Sequence, residues 1–177
     1  HDALPICLGI DQEKITGSMY DAIMNDVPIE DCIEATSVRN LFVAPAHRDL
    51  GGAEVELVPA FSRELRLRRA LAPAREEYDF ILIDCPPSLG LLTVNGLAAA
   101  DAVLIPVQCE YYALEGLTQL LNTISIVKKH LNPELNIEGV LLTMYDGRLR
   151  LSHQVASEVR RYFGEKVFKS VIARNVR

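Results

Sequence analysis

The sequence predicts an α/β protein built on a doubly wound, mostly parallel sheet with helices on both faces. Three observations point there. Short apolar runs alternate with stretches of helical periodicity, the order that a parallel sheet with crossover helices requires. The runs are continuously apolar instead of alternating, as expected of strands covered on both sides. Each is closed by a breaker or by polar residues that would sit at the carboxyl end of the sheet, where ligands bind in such folds.

The first run, residues 41–44, is a short strand stopped by Pro45. Residues 80–83 (Phe-Ile-Leu-Ile) form the second, 102–107 the third, 139–144 the fourth and 167–172 the fifth. Helices fill the intervals. Residues 62–77 read as one charged amphipathic helix, with Arg63, Arg66, Arg68, Arg69 and Arg75 among Glu64, Glu76 and Glu77, serving as a solvated cover. Leu117, Leu120, Leu121, Ile124, Val127 and Leu131 keep a helical period until Asn132-Pro133 stops it. Ser152 is read as the N-cap of a helix that buries Val155, Val159 and Phe163 (or Tyr162) and ends at Gly164.

A chain of 177 residues with 49% apolar and 24% charged residues fits one globular domain with a real core. No apolar stretch approaches the roughly 20 residues of a membrane span, and His1-Asp2-Ala3-Leu4-Pro5 does not read as a signal peptide. The chain does not begin with Met, which points to a fragment or a processed start. Cys7, Cys32, Cys85 and Cys109 are too scattered for a metal or disulfide framework and read as reduced thiols. Net charge is −6, which argues against nucleic acid for the chain as a whole. Its distribution is uneven: residues 146–177 carry eight basic and three acidic groups, a balance of +5, against −11 over the other 145. Such a segment is either a polyanion-binding face or a solvated helix face that happens to be basic.

Asp84 carries the chemistry. Set at the end of an apolar strand, its carboxylate can hold magnesium beside a nucleotide's phosphates, or serve only as a helix cap or hydrogen-bond acceptor. Pro86 and Pro87 offer no N–H and end any ladder. Ser88, Leu89 and Gly90 then open a segment able to respond to a γ-phosphate as a switch loop.

From Asp84 to Asn95 the sequence (Asp-Cys-Pro-Pro-Ser-Leu-Gly-Leu-Leu-Thr-Val-Asn) resembles the Walker B and switch segment of ParA-type partition ATPases, nearest their Soj branch. Residues 105–117, 139–146 and the closing Arg174-Asn175-Val176-Arg177 are similar to the same branch. The resemblance implies a deviant Walker A P-loop NTPase fold, with ATP and magnesium as cofactors. It implies that Asp84 holds magnesium through water and that Pro86, Pro87, Ser88, Leu89 and Gly90 belong to the phosphate-facing switch and the ATP-dependent homodimer. Thr143, Met144, Arg174 and Asn175 would meet the adenine end, and Arg148 and Arg177 nonspecific DNA. The implied activity is ATP-dependent chromosome or plasmid segregation, cytoplasmic and nucleoid-associated, reset by a ParB-type (Spo0J-type) partner. A MinD-like cell-division ATPase at a membrane and a non-hydrolysing nucleotide-binding relative are the alternatives.

Departures from the pattern are equally specific. The family's Lys-Gly-Gly-x-Gly-Lys-Thr loop, whose N–H groups cradle phosphates, does not occur, nor does the following aspartate that orients water, so no catalytic residue is assigned. Residues 1–7 are read as a disordered or artefactual leader and 8–177 as a partial ATPase domain. The family also continues past Arg177, and it usually has Pro where this chain has Ala173. The strand ending at Asp84 is therefore expected to lack its neighbour, exposing apolar surface and a bare edge, and the chain alone is expected to be unstable or aggregation-prone and to bind ATP poorly.

Overall fold

Ser18 and Asp21 start the first helix among the described residues, α1 (Met19–Met24): the Ser18 backbone N–H and hydroxyl both donate to the Asp21 carboxylate, at 3.0 and 2.7 Å. The Ser18 hydroxyl is the main reason that the Asp21 carboxyl lies below its ordinary value. The computed structural model describes residues 8–10, 15–47, 49–86, 88–111 and 113–175. The leader expected at 1–7 lies outside the described residues, as do Pro87 and Arg177. Two units emerge, residues 1–99 and 100–177, and each is described by itself.

In the first unit, β1 (Glu34–Ala35) and β2 (Phe42–Val43) form an antiparallel hairpin. Thr36 braces its turn, donating to the Leu41 carbonyl at 2.8 Å, and Asn40 takes the left-handed conformation (φ 61°) that the turn needs. The strand expected at 41–44 is thus β2, shorter and outside any parallel sheet. Next comes α2 (Leu50–Glu56). The single helix expected at 62–77 is instead three pieces: a 3-10 turn at Arg63–Leu65, α3 (Arg66–Ala70) and α4 (Ala74–Glu77). Pro73, without an N–H and with φ fixed by its ring, interrupts the helical ladder at that point. The pieces are more than a solvated cover, because Leu67, Leu71 and Ala74 are buried with Ile23, Ile29 and Leu57 in the core of this unit.

Residues 80–83, expected to be the second strand, pair with no strand among the described residues. Ile83 packs on the core, whereas Phe80 and Leu82 are 87% and 93% exposed. The apolar run supplies β propensity, but a ladder also needs a partner for its N–H and C=O groups, and no described strand pairs with it. The unit closes with α5 (Leu91–Ala99), whose fully buried Asn95 donates to the Arg63 and Leu91 carbonyls at 2.8 and 2.9 Å and accepts from the Leu67 N–H at 3.1 Å.

The second unit follows the alternation read from the sequence. Strands β3 (Ala102–Gln108), β4 (Asn136–Tyr145) and β5 (Val167–Ala173) form a parallel sheet in that order. Helices α6 (Ala113–His130) and α7 (Arg150–Phe163) make the crossovers. Both pack on the sheet and against each other, so they share the face that carries Ile105, Val107, Val140 and Leu142. On the other face Leu104 stands opposite Gly139, and the Phe168 ring occupies the space where a Gly139 side chain would lie.

Gly164 ends α7 with φ 56°, as expected. Phe163 is half-buried and Tyr162 exposed, which decides between the two. Ser152 is not the N-cap. Leu149 takes that position, and Ser152, buried in the first turn, accepts from the Asp146 N–H and donates to the Cys109 carbonyl, both at 3.4 Å. The serine is used to tie two strand-end loops together instead of capping a free helix end.

Candidate functional site

In the first unit the candidate residues form a braced bend. Asp84 is exposed, directly after the core-packed Ile83. Burial, helped by the Asp84 charge, pushes the Cys85 thiol up, and its sulfur fills the space beside Gly96: a Cβ there would lie 2.7 Å from Sγ. Thr93, in the first turn of α5, donates to the Ser88 carbonyl at 2.6 Å and reaches the Pro86 carbonyl at 3.4 Å. The chain after Asp84 is therefore folded back onto the helix start. Gly90 faces Glu54 of α2 so closely that a Cβ would sit 2.6 Å from the carboxyl carbon. Glu54 Oε1 is buried and has no hydrogen-bond partner.

In the second unit the candidates gather at the carboxyl ends of the strands. The Cys109 N–H donates to the Thr143 carbonyl at 3.0 Å, and the Arg174 N–H to the Tyr145 carbonyl at 2.9 Å. Between them Met144 takes φ 51°, where the β4–β5 register shifts. A left-handed non-glycine residue costs on the order of 1–2 kcal/mol and persists only where its surroundings impose it, often at ligand sites. The Arg174 guanidinium lies 3.5 Å from Glu110, a half-exposed pair of small energetic weight. Thr143, Met144 and Arg174 thus come together, with Asn175 exposed beside them.

Arg148 lies on the loop after β4. Asp146 accepts from its Nε, Nη2 and backbone N–H at 2.9, 2.8 and 3.0 Å. These bonds hold the Asp146 carboxyl at about 2. His153 of α7 donates from Nε2 to the Gly147 carbonyl at 2.9 Å, which leaves Nδ1 to accept from the Tyr145 hydroxyl at 3.0 Å. Arg150 and Arg160 are exposed on α7, while Arg161 pairs with Glu158.

Among the described residues no group of three or more His, Cys, Asp or Glu could hold a metal ion. An all-protein metal cage is absent there, and Asp84 stands as a single exposed carboxylate at its bend. Sequence reasoning missed Asp146, Asn95 and Thr93 as positioning groups, and Glu54 as the side chain that crowds Gly90. A lone amide in the apolar helix 91–99 and an Asp two residues before an Arg were signals for the first two. Nothing local marks Glu54.

Residues 3–137 match the family model described as an AAA domain. The chain is 61% identical over 170 residues to the chromosome partitioning protein ParA of Myxococcus xanthus (strain DK1622), covering 96% of this chain and 60% of that protein. It is 59% identical to the sporulation initiation inhibitor protein Soj of Bacillus subtilis (strain 168), covering 96% and 67%. Among solved structures, cobyrinic acid a,c-diamide synthase from Mycobacterium smegmatis with bound ATP analog and magnesium superposes with a TM-score of 0.89 at 39% identity, over 98% of this chain and 71% of that one. The chain spans about three fifths to two thirds of the length of the curated relatives it matches.

Proposed function

This chain belongs to the ParA/Soj family of chromosome-partitioning proteins, and from that premise we propose that it serves an ATPase that segregates DNA. Residues 8–177 act as part of a P-loop ATPase domain. ATP drives a homodimer that binds DNA nonspecifically at the nucleoid in the cytoplasm, and hydrolysis stimulated by a ParB-type partner resets it. Identity of 61% to a partitioning protein, against 39% to the amide synthase structure, favours segregation over amidation.

What carries the reading is the exposed Asp84 leading into a bend held by Thr93. Asp84 would hold magnesium through water, and the ion when bound would neutralise charge developing on the phosphates. Pro86 to Gly90 form the phosphate-facing and dimer-facing segment, which Thr93 keeps in register with α5. Thr143, Met144, Arg174 and Asn175 receive the adenine end. Arg148 and Arg177 meet DNA phosphates, contacts that position without reading sequence.

Magnesium-dependent ATP turnover by the encoded protein is the test. Asp84→Asn should lower turnover about 100-fold or more with little change in melting temperature, a loss the size of one transition-state charge contact; unchanged turnover would reject the assignment. No Lys-Gly-Gly-x-Gly-Lys-Thr sequence occurs in these 177 residues, so by themselves they should bind magnesium–ATP weakly. Tight binding by calorimetry would contradict that.

A further inference from the structure

The Arg148 side chain is 75% exposed, yet the side-on pair of its guanidinium donors, Nε and Nη2, is occupied. Asp146, 12% exposed, takes two of its donors side-on and the backbone N–H as well. The carboxylate is the fixed partner. Its own N–H bonds to Ser152 Oγ at 3.4 Å, its carbonyl accepts from the Leu149 N–H at 3.0 Å, and the next residue, Gly147, is held by His153 at 2.9 Å. A side-on carboxylate uses the same pair of guanidinium donors that a phosphate uses for bidentate recognition. The contact is more extensive than the single 3.5 Å approaches of Arg174 to Glu110 and Arg66 to Asp26.

We propose that Asp146 is an intramolecular stand-in for phosphate at Arg148, a latch that competes with a nucleic-acid backbone for the guanidinium. The latch rests on the polyanion reading of Arg148 and adds its regulation. With Asp146 in place the side-on donor pair, Nε and Nη2, is taken and the loop's net charge is cancelled, so a phosphate must displace the carboxylate before it gains that bidentate pair. The carboxyl stays ionised through the whole range in which nucleic acid binds, so the competition is always present.

The experiment uses the same encoded protein as the turnover test and measures its binding of a short fluorescein-labelled duplex of mixed sequence by anisotropy, with ATP and magnesium present, over a series of salt concentrations. Asp146→Asn should tighten binding roughly threefold to fivefold, the scale of one exposed ion pair released. It should also steepen the logarithmic salt dependence by about 0.9, one more phosphate contact. Arg148→Gln should weaken binding, and in the double variant Asp146→Asn should add nothing beyond Glu165→Gln, which makes the same change in net charge. Asp146→Glu keeps the charge and should stay near wild type. If the asparagine variant does not fold by circular dichroism, Asp146→Ser carries the same expectation. Equal tightening by Glu165→Gln overturns the latch in favour of bulk charge. Unchanged or weaker binding by folded Asp146→Asn, with Arg148→Gln weakening it, overturns the latch and leaves the DNA reading standing. Unchanged binding by Arg148→Gln overturns the DNA reading of that residue and the latch together.

Discussion

Two apolar runs of the same kind meet opposite fates in this molecule. Residues 102–107 become β3, paired with β4 from Ala102 to Gln108 with one register shift after Val103, and Ile105 and Val107 are buried under helices. Residues 80–83 have equal apolar character, yet they form no ladder, and two of their four side chains are almost fully exposed. The runs differ in their surroundings and not in their propensity. A strand is a property of a pair: β3 is paired with β4, while no described strand pairs with 80–83.

Leucine provides the strongest way to break that comparison, because each region has one. Leu142 of β4 is fully buried and Leu82 is 93% exposed. Leu142→Ala should destabilise by about 2–5 kcal/mol, whereas Leu82→Ala should stay within about 0.5 kcal/mol. Urea unfolding followed by circular dichroism measures both. A large loss at Leu82 would mean that the segment is buried in solution. Leu82→Lys should also slow aggregation, since it places a charge on an exposed apolar run without Pro or Gly; light scattering at matched concentration reads it.

Asn95 sharpens the comparison from the side of the first unit, whose order around the bend depends on a polar anchor. Asn95→Ala leaves the Leu67 N–H and the Arg63 carbonyl without their partner inside the core. The expected loss is about 1–3 kcal/mol for stranding such groups. No loss on denaturant unfolding would mean that water or a shifted helix replaces the amide.

Much of the fold was legible in the sequence because its signals were local. The three strands and two helices after residue 100 follow from apolar run length, helical period and the breakers Asn132-Pro133 and Gly164. The misreadings share one cause, that pattern does not report partners. Residues 62–77 have helical amphipathicity, but Pro73 divides them. Ser152 has the chemistry of a cap, but tertiary contacts to Asp146 and Cys109 claim it. For the candidate site, motif resemblance picked out Asp84, Thr143, Met144 and Arg174. The groups around them, such as Thr93 on the Ser88 carbonyl and Glu54 against Gly90, depend on approach across the fold, which spacing does not encode.

Met144 tests whether the strand-end distortion is imposed on the second unit. Its φ of 51° falls where glycine loses nothing and methionine does. Met144→Gly should therefore relieve about 1 kcal/mol of left-handed strain, offset in part by glycine's greater freedom in the unfolded chain. A small net gain or no change in stability fits strain held in place by the bonds at Thr143 and Tyr145. A loss well above 1 kcal/mol would show that the Met144 side chain is itself a packing element.

The smallest effect is the titration of Asp146, and its sign follows from the pairing. The carboxyl is held at about 2 against an ordinary value of 3.8, first by the Arg148 side-chain donors and then by the Arg148 N–H. A depressed folded-state value means that the ionised form is favoured on folding. Its stabilisation is present in full above the unfolded value and is lost as pH falls through about 2. Wild type and Asp146→Asn should therefore differ in stability above pH 4 and converge as the pH approaches 2. Carbon-detected NMR of the Asp146 carboxyl gives the midpoint directly. A midpoint near 4 would mean that Arg148 spends most of its time away from the carboxylate in solution. That outcome would remove the latch before any nucleic acid is added, and it would leave the parallel sheet and its register untouched.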